Sequence, residues 1–98
     1  MPIPTGIATG VGSIFRTQVT ITVAATSRTV LAAGWYYVYA VGANISIQAQ
    51  DSTGTWQNLT AAGTAPSGIL YSDGTNLAIN NGAGAGQNAT YIQVAIGG

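Results

Sequence analysis

The sequence contains no cysteine, histidine, lysine or glutamate. Without cysteine there is no disulfide framework, and the redox state of the compartment leaves no mark on the chain. Without cysteine and histidine, zinc loses its usual ligands, so no metal site is expected and no cofactor is implied. A serine or threonine nucleophile needs a neighbouring base, and neither histidine nor lysine exists to serve. Charge is the scarcest property: Arg16, Arg28, Asp51 and Asp73 are the only charged side chains, 4% of 98 residues, where a typical domain carries about 25%. Two arginines cannot build the basic stripe that neutralises phosphates, which excludes nucleic acid as a partner. No apolar run approaches the roughly 18 residues of a membrane helix, so no membrane is expected either. The opening Met1-Pro2-Ile3-Pro4-Thr5-Gly6 has neither the basic start nor the long apolar core of a secretory signal. Synthesis in the cytoplasm, without export by that route, is the expectation.

The two carboxylates are the last route to acid–base catalysis. Asp51 lies in Asp51-Ser52-Thr53-Gly54 and Asp73 in Ser72-Asp73-Gly74-Thr75, both turn sequences. Aspartate in such a turn caps the backbone. A glycosidase-like pair would need the two about 5–9 Å apart. No enzyme is expected, and no catalytic residue is assigned.

What the chain has in quantity is β-branched, aromatic and small polar residues. Hydrophobic residues make up 47%, and there are two tryptophans, five tyrosines and one phenylalanine. Trp35-Tyr36-Tyr37-Val38-Tyr39-Ala40-Val41, set between Gly34 and Gly42, is the composition of a strand. Period two puts Trp35, Tyr37, Tyr39 and Val41 on one face and Tyr36, Val38 and Ala40 on the other. Both faces are apolar, so this is expected to be a central strand, covered once by the core and once by another sheet, arm or subunit.

Around it the alternation repeats. Strands are expected over residues 17–23, 28–31, 45–50, 55–59, 68–72, 76–80 and 89–96. The turns Asp51-Ser52-Thr53-Gly54 and Ser72-Asp73-Gly74-Thr75 are both read as hairpins. The glycine-rich segment 82–86 lacks the lysine and the following helix of a phosphate cradle, and reads as a flexible loop tip. About eight short strands at 8–12-residue spacing describe an all-β fold: one small antiparallel β-sandwich or jelly-roll-like domain over residues 17–98. Residues 1–16 carry Pro2, Pro4, Gly6, Gly10 and Gly12 among scattered apolar anchors, and read as an extended N-terminal arm, either docking on a neighbour or simply frayed.

A surface nearly free of charge has no colloidal repulsion, which suits a protein held in a crowded assembly. The candidate interface residues are Ile3, Ile7, Ile14 and Phe15 of the arm with Trp35, Tyr37, Tyr39 and Tyr91. An alternative use of the aromatics is a stacking platform for sugar rings, made by Trp35, Tyr37 and Trp56.

Several segments resemble one family. Ala33-Gly34-Trp35-Tyr36-Tyr37-Val38, Asn44-Ile45-Ser46-Ile47-Gln48, Gly54-Thr55-Trp56 and Leu70-Tyr71-Ser72-Asp73-Gly74-Thr75-Asn76-Leu77 are similar to strands and turns of small β-rich structural proteins of tailed bacteriophages, the capsid decoration and fibre-base modules. The resemblance covers residues 28–96. It implies a non-enzymatic structural protein of a virion, made in the host cytoplasm, that decorates or cements the capsid surface. The partner it implies is the major capsid protein or another virion protein, with the chain itself a homo-oligomer, a trimer before a dimer. The alternative within the same resemblance is a carbohydrate- or host-surface-binding module of a fibre or tail.

Overall fold

A computed structural model describes residues 15–94 of the chain, with side chains from Gln18 onward. Eight strands follow one another: β1 (Phe15–Val23), β2 (Ser27–Val30), β3 (Gly34–Val41), β4 (Ile45–Gln50), β5 (Trp56–Asn58), β6 (Leu70–Ser72), β7 (Leu77–Asn81) and β8 (Gln87–Val94). Each was expected from its alternation, to within two residues at most bounds. β1 reaches back to Phe15 and β8 starts at Gln87. The expected arm over 1–16 lies outside the described residues up to position 14, as do Ile3, Ile7 and Ile14, so its interface role stays an expectation.

The strands form two four-stranded antiparallel sheets, β1-β8-β3-β6 and β2-β7-β4-β5. β1 pairs with β8, β2 with β7, β3 with β6 and β4 with β5. The chain is thus one long doubled ribbon, folded at its middle and rolled so that β8 also meets β3 and β7 also meets β4. This is the jelly roll, an all-β sandwich. Of the seven connections, only β4 to β5 stays inside a sheet, and the six others cross from one sheet to the other.

That single hairpin is made by Asp51-Ser52-Thr53-Gly54. The Asp51 amide donates to the Thr55 carbonyl (2.9 Å) and the Gly54 amide to the Asp51 carbonyl (3.0 Å), while Gly54 takes φ 85°, open to glycine at no steric cost. The second turn, around Asp73, departs from expectation. It is no hairpin: β6 lies in one sheet and β7 in the other. Its local chemistry is still a turn's, with the Asp73 carboxylate accepting from the amides of Thr75 and Asn76 at 2.8 Å each. Turn sequence fixes the bend, and the partners waiting on either side decide whether the two arms pair.

The core lies between the sheets. Val23, Tyr36, Val38 and Ala89 from one sheet meet Ile45, Ile47, Leu77 and Ile79 from the other, with Leu31 closing one end. Burying residues of this size contributes about 1.5–3 kcal/mol each. β3 is internal to its sheet, as expected, but its two faces are not arranged as strict alternation predicts. Tyr36 pairs with Gln93 and Val38 with Tyr91, then the register shifts so that Ala40 meets Thr90 and Val41 meets Ala89. Tyr39 is the extra residue of a β-bulge. It returns Val41, rather than Ala40, to the core face, and leaves Tyr37, Tyr39 and Ala40 outside.

The glycine-rich loop is also tied down. Asn81, 1% exposed, donates its side-chain amide to the carbonyls of Val23 (3.0 Å), Ala24 (3.3 Å) and Ala85 (2.9 Å), and its Oδ1 accepts from the Ala83 amide (2.8 Å). One buried side chain thus holds the β1–β2 turn and the β7–β8 loop together, where the sequence reads only a mobile tip.

Candidate functional site

The outer face of the β1-β8-β3-β6 sheet carries the exposed aromatics. Trp35 and Tyr71 are directly opposed across β3 and β6, with ring centroids 5.0 Å apart at a tilt of 55°. Tyr37 and Tyr39 follow along β3, stacked at 5.7 Å and 22°. Period two already sets Tyr39 outside beside Tyr37, and the bulge adds Ala40 to that face while turning Val41 inward. These rings are 37%, 55%, 39% and 37% exposed for Trp35, Tyr71, Tyr37 and Tyr39, so each shows a large part of its surface to solvent while its remaining area is packed. Tyr71 also borders a hollow of about 280 Å³ with Leu59, Leu70, Ala49 and Leu77, closed by the polar Gln50, Asp73 and Asn76. The exposed apolar surface therefore continues from β3 round the β6 edge to Leu59, itself exposed. This face is the candidate interaction surface.

Beyond the aromatics the same face turns polar. Thr20 and Thr90 join their hydroxyls at 2.9 Å, and Thr22 donates to Asn88 at 2.7 Å. These groups satisfy one another and carry no charge.

The sequence-assigned residues divide three ways. Trp35, Tyr37 and Tyr39 share the outer face just described. Tyr91 does not: it is opposite Val38 on the inner side of β8, half-buried edge-on against Tyr36 at 5.1 Å and 79°. Burial, then the neighbouring Tyr91, pushes the Tyr36 phenol above its ordinary range, and its hydroxyl donates to the Ala32 carbonyl at 2.7 Å. Trp56 belongs to the other sheet and lies on the outside of the sandwich's opposite wall. Trp35, Tyr37 and Trp56 therefore cannot line one platform. Phe15 starts β1 in register with Val94. Tyr71 was missing from the sequence-assigned set; its signal was weak, one aromatic in a three-residue strand.

The outer face of the β2-β7-β4-β5 sheet is built differently. Arg28 on β2 and Trp56 on β5, the two flanking strands, meet across β7 and β4, with the guanidinium carbon 4.7 Å from the indole centroid. Arg28 Nε donates to Gln48 Oε1 (2.9 Å), and Gln48 Nε2 donates to Asn58 Oδ1 (2.7 Å), which also accepts from Ser46 Oγ (3.4 Å). Beneath this lid Ala78, Ser46 and Gln48 are buried although they face outward.

The carboxylates are committed to their turns. Asp51 Oδ1 accepts from Thr53 N, Thr53 Oγ1 and Thr55 N, and Oδ2 from Gln57 Nε2, all within 3.1 Å. The Thr53 and Gln57 side chains, then the backbone amides, pull its pKa down to about 2. Asp73 is lowered in the same way, by the amides of Thr75 and Asn76 first. A general acid must hold its proton at working pH, and neither carboxylate does. No group of three metal-ligating side chains occurs among the described residues, and a second hollow, of about 460 Å³ beside Gly42 and Gln87, has no titratable side chain in its lining.

No family model matches the chain, and neither curated proteins nor solved structures yield a significant match.

Proposed function

We propose that the chain is a non-enzymatic structural component of a phage virion, decorating or cementing the capsid surface through the aromatic face of the β1-β8-β3-β6 sheet. The observation that carries this reading is the band Trp35, Tyr71, Tyr37 and Tyr39, left open to solvent on a wall whose chain has four charged residues in 98. Aromatic side chains supply rigid contact area at low entropic cost and dominate interface energetics. The phage assignment is supported by the sequence resemblance and the capsid partner follows from it. An interface of about 800 Å² per partner at ~25 cal/mol per Å² is strong once ordering costs are met, and many copies on a lattice would add avidity. Self-association, as a trimer before a dimer, belongs to the same reading, because no charged side chain is described among the aromatics of this face.

Sedimentation of the pure protein, together with a mass-spectrometric inventory of purified virions, tests the proposal. The expected result is an oligomer in solution and the chain present in many copies per particle. A monomer that binds no capsid and is missing from particles would overturn it.

A further inference from the structure

We propose that Arg28, Asn80 and Asn58, on the wall opposite the aromatic band, form a binding site for a carboxylate group. The inference stands apart from the proposed function and rests on different residues.

Arg28 is exposed, yet its guanidinium is held in place. Trp56 covers one of its faces, and Gln48, nearly buried, accepts from its Nε. Gln48 cannot turn round, because an amide whose oxygen faces Arg28 must present its nitrogen to Asn58 Oδ1. Asn58, accepting there and from Ser46, in turn must present its own amide nitrogen elsewhere. The relay therefore fixes two donor groups on one wall, the Arg28 guanidinium and the Asn58 amide, and consumes only their inner atoms. Asn80 lies directly opposite Arg28 across β2 and β7, on the same outward side, and opposite Ser46 across β7 and β4.

What the site lacks is an anion. The described carboxylates, Asp51 and Asp73, are both spent in turns, and no ion pair forms among the described residues. The Nη edge of Arg28 is the part of the guanidinium with no described acceptor. That edge is a planar fork whose two parallel N–H groups match the two oxygens of a carboxylate. Stacking and the Nε bond remove the rotamer freedom that an exposed arginine would otherwise lose on binding, so the site is preorganised. The register sets Asn80 directly across from Arg28, and the relay sets Asn58 against Gln48 on the same wall. The class of ligand is a small molecule or sugar bearing one carboxylate.

The test uses the whole chain, with D-glucuronate and acetate as probes and D-glucose as the neutral control. Binding is read from the backbone and indole shifts of residues 28, 56, 58 and 80 in two-dimensional NMR. Saturable shifts are expected with both carboxylates at a dissociation constant on the order of 1 mM, weakening as salt screens the pair, and none with glucose. Arg28→Lys, which keeps the charge and loses the fork, should weaken binding by about tenfold. Asn80→Asp places a carboxylate of the chain's own beside Arg28 and should abolish binding of the added one with the spectrum otherwise preserved. Equal shifts with glucose, shifts that stay linear with concentration, or Asn80→Asp binding as the parent does would each overturn the site. Tighter binding of glucuronate than acetate would mark a sugar acid as the ligand, and equal binding a simple carboxylate.

Discussion

The two outer walls of this sandwich face the same solvent and treat it in opposite ways. On the β2-β7-β4-β5 wall, Arg28 and Trp56 reach toward each other from the flanking strands and shield Ala78 and Gln48 beneath them. Every amide there whose orientation is fixed is fixed by a neighbour in the same chain. On the β1-β8-β3-β6 wall, Trp35, Tyr71, Tyr37 and Tyr39 pair with one another and nothing described lies over them. The first wall covers its own apolar surface, while the second leaves its aromatic rings exposed. The difference does not come from composition, since both walls mix aromatics with threonine, asparagine and glutamine. Among the described side chains it comes from where one long cation is placed: Arg28 bridges two intervening strands on its own wall.

The comparison can be broken at several strengths. The largest effect belongs to the core that both walls share. Ile47→Ala removes a side chain with no solvent exposure and is expected to cost about 2–5 kcal/mol in urea denaturation; a smaller loss would mean that the two sheets are less tightly apposed. Asn81→Ala should follow at roughly 2–3 kcal/mol, since it orphans the buried Val23 carbonyl and releases that of Ala85 at once. The same variant should raise amide exchange in residues 82–86.

The walls themselves separate next. Trp56→Ala is expected to cost about 1–2 kcal/mol and to show a coupling of about 0.5–1 kcal/mol with Arg28→Met in a double-mutant cycle, because lid and partner are lost together. Tyr37→Ser with Tyr71→Ser, on the open wall, should change stability by less while shifting sedimentation toward the monomer. If that pair instead unfolded the protein with association intact, the aromatic band would belong to the fold rather than to a partner.

The smallest effect is a pH dependence common to both. Asp51 is pulled down to about 2 in the folded chain, below the roughly 3.9 of an unfolded aspartate. Its stabilising contribution is therefore complete above about pH 4 and is lost as pH falls toward 2. Thermal melts across that window should show the slope flatten in Asp51→Asn. Tyr36, raised by burial, works at the other end: the unfolded phenol ionises first above about pH 10, so stability falls as pH rises further.

Much of this architecture was legible from residue order. Alternation located all eight strands, because a half-buried pleated strand writes its two faces directly into the chain. The turn at residues 51–54 was readable because Asp and Gly meet its backbone needs locally. The turn at Asp73 misled for the same reason: its carboxylate bonds the same kind of amides, but β3 and the β2–β4 gap compete for β6 and β7, a choice made by residues far away in sequence. The bulge at Tyr39 left no sign, since no glycine marks it. Asn81 was indistinguishable from Asn80 beside it, although one is buried and the other faces outward. At the candidate site, the three β3 rings could be foreseen, while the exclusion of Tyr91 and the separation of Trp56 depend on sheet order.

Because strand pairs nest one inside the next about a single central bend, the loop each pairing must close grows outward. The β4–β5 turn joins residues only a few positions apart, whereas the hydroxyls of Thr20 and Thr90 are separated by 70 positions. Closure entropy rises with that separation, and non-local pairing is slow to form. Assembly should then proceed like a zip drawn from the bend toward the two ends, with β1 and β8 the last to lock. Pulse-labelled hydrogen exchange during refolding would show late protection in those two strands, and a chain interrupted before then would present a bare β3 flank to its neighbours.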